Sequence, residues 1–247
     1  MNPYREKDAL QGALTAMADE KYRAFHASLV PGLETFLGVR MPNLKNLAKT
    51  VAKTDAEDFL AAYPVAPDSL YEEKMVYGLV CATAKLPQDV RRKYLTRFLP
   101  LIDNWAVCDT VTSSMKFLKK EAPAWKDFVF ARAGGGEFEK RFFAVCTMLY
   151  YGGEAYIDEV LNAYQTLQGG YYVNMGIAWA LATLYLQWPE KILPLLRGGA
   201  FCADIVYKTI GKLCDSFRVA DADKTALRAL RTELRQNEKQ KKEARHD

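Results

Sequence analysis

The feature that most constrains this chain is a repeated period. Stretches with helical amphipathic pattern alternate with Pro- and Gly-bearing breaks, and those opening at residues 69, 104, 137, 170 and 200 recur every 30–35 residues. They read in pairs: SLYEEKMVYGLVCATAK with PQDVRRKYLTRFLPLI, NWAVCDTVTSSMKFLKK with APAWKDFVFARA, EFEKRFFAVCTMLYYGG with EAYIDEVLNAYQTLQ, and YYVNMGIAWALATLYL with PEKILPLL. AFCADIVYKTIGKLC and a polar C-terminal helix complete the series. Second helices are expected to open near Pro87, Pro123 and Pro189, because the first turn of a helix has no use for the missing amide. Sustained period-2 alternation and NG or DG hairpin turns are absent, which argues against strands. The pattern predicts an all-α fold, an α-solenoid of HEAT-like paired antiparallel helices, as a single domain over residues 1–247. An irregular helical bundle is the alternative.

Successive pairs in a solenoid rotate slightly, so equivalent helices line a concave face. The first helices of the pairs carry Trp105, Asp109, Arg141 and Trp179, with Lys116, Lys119, Lys120, Lys140, Lys208 and Lys212. On one face these would make a basic groove holding two indoles and one carboxylate. Net charge says less than its placement. Residues 224–247, read as a polar basic helix or tail, hold 8 Lys/Arg against 4 Asp/Glu, whereas residues 1–223 balance at 26 against 26. A cationic surface on the body therefore requires the charges to be segregated.

Several functional classes drop out. No apolar run reaches the roughly 18–20 residues of a membrane span. The start, MNPYREKDALQG, lacks the apolar core of a signal peptide, so a cytoplasmic protein is expected. The 5 cysteines are scattered without a CxxC and there are only 2 histidines, so neither a zinc site nor a disulfide framework is expected. No metal or cofactor is expected. Nothing demands a dimer, and a monomer is expected. Gly134–Gly136 lacks the Gly-Lys-Ser/Thr of a phosphate loop and reads as a connector.

Trp105 and Asp109 stand one helical turn apart, which sets an electron-rich ring beside a carboxylate. A cation is the natural guest of such a pair. Taken alone, the indole reads as core and the carboxylate as a surface or helix-pairing group.

Several pieces, in order, resemble the AlkD-type DNA alkylation repair family of HEAT-like-repeat glycosylases. They are FLGVRMPNLKNLAK (36–49), NWAVCD (104–109), the arginine of EKRFFAV (139–145), IAWAL (177–181) and KTIGKLCDSFRV (208–219). The resemblance implies that Trp105 and Asp109 are catalytic with Arg141 beside them, and that Trp179 faces DNA. It also implies hydrolysis of the N-glycosidic bond of N3- or N7-alkylated purines in duplex DNA, without flipping the base into a pocket. Met175 and Ala182 stand where the best-known branch carries a lysine and an arginine. Lys208, Lys212 and Arg218 are the expected substitutes for that charge. Two other readings remain at this point: a non-catalytic DNA-binding relative that recognises bent or branched DNA, and a protein-binding helical scaffold.

Overall fold

The computed structural model describes residues 1–33 and 35–243, the side chains of Glu238, Lys241 and Lys242 excepted. Among the described residues there are fourteen α-helices and no strand, with one isolated bridge between Ala18 and Val39. The chain divides into two compact units, residues 1–143 and 144–247. The first holds α1 (Lys7–Thr15), α2 (Glu20–Leu29), α3 (Met41–Lys53), α4 (Ala56–Ala62), α5 (Tyr71–Thr83), α6 (Gln88–Phe98), α7 (Trp105–Ser114), α8 (Leu118–Phe130) and the start of α9 (Glu137–Tyr150). The second holds the rest of α9, then α10 (Ile157–Thr166), α11 (Tyr171–Leu184), α12 (Pro189–Arg197), α13 (Ala203–Asp215) and α14 (Asp221–Glu243). Helices two apart in sequence stack: α3 on α5 and α5 on α7 in the first unit, α11 on α13 in the second. The expected all-α fold of packed, HEAT-like helix pairs is what the chain forms.

In the first unit α5 is the axis around which the rest is packed, buried from Tyr71 to Ala82. That burial includes Glu72, Glu73 and Lys74, and buried charges need partners. Glu72 Oε1 accepts from the backbone amides of Leu37, Gly38 and Val39 at 3.0, 2.9 and 3.2 Å. This gives the GVR segment its physical cause. Gly38 turns there with φ 81°, and a Cβ on it would lie 2.5 Å from Arg23 Cβ and 2.7 Å from the Asp19 carbonyl oxygen. Glu73 caps its own helix through the Leu70 amide at 2.6 Å and accepts from the Tyr63 hydroxyl. Gly78 lets α5 approach its neighbours, since a Cβ there would meet the Phe98 ring and Val111 Cγ2, both at 2.6 Å.

One helix boundary differs from the sequence expectation. Pro87 caps α6 and Pro189 is the first residue of α12, but α8 begins at Leu118 and runs through Pro123. The break falls earlier, at Met115 (φ −74°, ψ 55°), where the Lys116 amide turns back to the Ser114 carbonyl at 2.8 Å. Pro123 is exposed, so the carbonyl its ring leaves without an amide faces water. Lys116 therefore sits in the turn, and Lys119 and Lys120 belong to α8 rather than to the first helix of their pair. The polar C-terminal helix runs to Glu243, and residues 244–247 of the expected basic tail lie outside the described residues. No helix among the described residues is long and apolar enough to cross a membrane.

Candidate active site

The site is built on α7 in the first unit. Asn104 caps this helix, its side chain accepting from the Val107 amide at 2.9 Å, which satisfies a donor the helix cannot satisfy itself. Asn104 Nδ2 donates to Asp103 Oδ1 at 2.8 Å, and Asp103 accepts from Lys74 Nζ at 2.5 Å. Lys74 is only 2% exposed and also donates to the Pro67 carbonyl at 2.6 Å. The start of α7 is thus tied to the buried axis helix. A cavity of about 220 Å³ opens beside this tie, lined by Pro31, Tyr71, Lys74, Asp103 and Asn104 among others.

One face of α7 packs inward through Val107, Cys108 and Val111, all buried. Cys108 Sγ lies 3.6 Å from the Phe138 carbonyl of α9. Burial pushes the Cys108 thiol well above its ordinary range, with the Asp109 carboxylate adding to the effect, so it packs as an unreactive thiol. The adjacent face carries Trp105 and Asp109, both half-buried.

Asp109 meets Arg141 of α9 in a two-pronged pair. Arg141 Nε donates to Oδ1 at 2.9 Å and Nη2 to Oδ2 at 2.8 Å. The side chains are 7% and 16% exposed, arginine first. A guanidinium fork fixes a carboxylate plane as a lysine cannot. The Trp105 indole N–H donates to the Leu29 carbonyl at 3.2 Å. Leu29 ends α2, where carbonyls lack helical partners, so the ring orientation of Trp105 is held from 76 residues away in sequence.

The other expected residues fall elsewhere. Lys116 is exposed in the α7–α8 turn, and Lys140 is half-buried on α9 beside Arg141. Trp179 is half-buried on α11 in the second unit, with Met175 half-buried and Ala182 buried on the same helix. Lys208 and Lys212 are half-buried on α13, and Arg218 is exposed in the segment after it. Lys208 Nζ is engaged by Asp204 one turn away, which holds the Asp204 carboxyl below its usual range, and it also lies over the Tyr171 ring at 5.3 Å. The Leu29 carbonyl and the Lys74–Asp103–Asn104 chain were missed by sequence reasoning. Asn104 alone had a signal, an N-cap residue just ahead of the helix. Among the described residues, no three His, Cys, Asp or Glu side chains gather as a metal site.

A family model described as DNA alkylation repair enzyme matches residues 10–193 of the chain. No curated protein and no solved structure matches it.

Proposed function

Since this chain belongs to the DNA alkylation repair enzyme family, which makes DNA its substrate, we propose that it is a glycosylase. Its reaction would hydrolyse the N-glycosidic bond of N3- or N7-alkylated purines in duplex DNA. The observation that carries this reading is the Asp109 carboxylate, clamped at 2.9 and 2.8 Å by Arg141 on the helix face that also bears Trp105.

An alkylated purine already carries positive charge and leaves without a proton from the protein, so one carboxylate suffices where sugar hydrolases use two. As the bond breaks, positive charge grows on the deoxyribose. Asp109 stabilises that charge and orients the attacking water, each of its oxygens keeping lone-pair capacity beyond the bond from Arg141. The Trp105 face adds cation–π attraction of roughly 0.5–2 kcal/mol. Arg141 positions the carboxylate. A fork closed on Asp109 and 7% exposed leaves little surface for a phosphate, which favours this role over a backbone clamp. No metal or cofactor enters the step.

Backbone contacts are assigned to Lys116, Lys140, Lys208, Lys212 and Arg218, and a DNA-facing role to Trp179. Lys208 would exchange its bond with Asp204 for one to a phosphate. The active form in this reading is a monomer working as one domain over residues 1–247. A second reading, a DNA-binding relative without the chemistry, is favoured by Met175 and Ala182 on α11.

The test is single-turnover release of free base from duplex DNA holding N7-methylguanine, measured against spontaneous loss in protein-free buffer. Release well above that background supports the glycosylase. Salt-sensitive DNA binding with no release from either N7-methylguanine or N3-methyladenine would replace it with the non-catalytic reading.

A further inference from the structure

Helix α14 begins beyond residue 193, where the family match ends, and runs from Asp221 to Glu243. Successive helical residues turn by about 100°, so Lys224, Arg228, Arg231, Arg235 and Lys239 fall within an arc of about 80°. Leu227 and Leu230, 2% and 4% exposed, anchor a different face, while Arg228, Arg235 and Lys239 are exposed. Glu233 points to the far side of the helix from the stripe. Among the described side chains, carboxylates approach the stripe at its two ends: Asp221 lies 3.6 Å from Lys224 and Glu243 lies 3.8 Å from Lys239; Glu238, three residues after Arg235, has its side chain outside the described residues. Among the described residues no carboxylate pairs with Arg228, Arg231 or Arg235. Arg235 instead lies over the Tyr207 ring of α13, 5.2 Å from its centroid.

A polar helix that needs only solubility interleaves acids and bases one turn apart. Here like charges are stacked at spacings of three and four, an arrangement that destabilises an isolated helix. It becomes favourable against a polyanion. From residue 224 to 239 the helix rises about 22 Å, a length over which duplex DNA presents a phosphate about every 1.7 Å of its axis, both strands counted.

We propose that α14 is a phosphate-tracking helix that holds the sugar–phosphate backbone of duplex DNA without reading its sequence. The proposal rests on DNA being the substrate of this family, and it stands whether or not the chain is a glycosylase. Its role is to add affinity for undamaged duplex and leave the chemical step alone.

The experiment compares the full chain with R228Q/R231Q/R235Q/K239Q, measuring affinity for an undamaged duplex across roughly 50–300 mM salt, a range over which phosphate contacts are resolved. The slope of log affinity against log salt is expected to become shallower by about 3.5, with affinity falling by on the order of a thousandfold near 0.1 M. R228K/R231K/R235K should keep the native slope, because phosphate attraction follows charge. Base release at saturating protein should match the native chain. An unchanged slope with helix content retained overturns the proposal and points to a solvated face or a protein partner. Should the quadruple variant lose helix content, R228Q/R235Q is expected to lower the slope by about 2, and no change there overturns it as well. A shifted slope with no base release from the native chain would leave α14 standing and remove the glycosylase. Intact release with an unchanged slope would do the reverse.

Discussion

Helices α7 and α11 each carry a tryptophan expected to face DNA, and the two are held very differently. On α7 the Trp105 indole N–H is bonded to the Leu29 carbonyl, Asn104 caps the helix through its side chain, and Asp109 is clamped by Arg141. On α11 the N-terminus is capped by Gly170 with no side-chain bond, and among the described residues the Trp179 indole has no hydrogen-bond partner. Asn174, one of the polar side chains on α11, bonds to Asp204 at 3.0 Å. Fixed geometry is what a catalytic group requires and a backbone contact can do without. The contrast favours the proposed division, with chemistry on α7 and binding on α11.

Perturbing the clamp should have the largest effect. Arg141→Ala leaves a carboxylate that is 16% exposed without its partner, and is expected to cost about 2–4 kcal/mol of stability. Base release should fall by on the order of a hundredfold, measured as a single-turnover rate on protein shown to be folded. Arg141→Lys should recover part of the stability and less of the rate, because a lysine cannot hold both carboxylate oxygens. Recovery of both in full would mean that the carboxylate needs only a neighbouring charge.

Gly78→Ala is next. Its methyl meets the Phe98 ring and Val111, both at 2.6 Å, so it should lower stability by about 2 kcal/mol and displace α7. A denaturant melt and the release rate should decline together, whereas a stable variant with native rate would show that α7 does not depend on close packing against α5. Trp105→Phe keeps a ring but removes the bond to Leu29 and part of the indole face. A loss of about 1 kcal/mol, or roughly fivefold in release, is expected. The smallest effect should come from Trp179→Phe, within about twofold, since no hydrogen bond is lost there. Equal losses at the two tryptophans would break the contrast between α7 and α11.

How much of this was legible in the sequence follows from the range of the forces involved. Helix periodicity and Pro or Gly punctuation are local, so the paired helices could be read directly. The pairing of Pro123 with a helix start failed because a proline on an exposed face tolerates a lost helical bond, and the break was set instead by the Met115 turn. Trp105 and Asp109 were legible as neighbours one turn apart. The resemblance set Arg141 beside them, although it lies 32 residues from Asp109. The holder of Trp105 was not legible: the Leu29 carbonyl lies 76 residues away, and a backbone carbonyl leaves no mark in composition. The burial of the α5 charges leaves no local mark, because nothing local reveals three amides from residues 37–39 closing on Glu72.

The central claim is that Asp109 performs the chemistry, and Asp109→Asn tests it most directly. The amide keeps the size of the side chain and removes its negative charge. Single-turnover release from N7-methylguanine duplex would be compared with the native chain at saturating protein, with folding and DNA affinity measured in parallel. The expected result is a fall of at least about a hundredfold with affinity for the duplex retained. Native-rate release by the folded variant would contradict the assignment and move the chemistry away from α7.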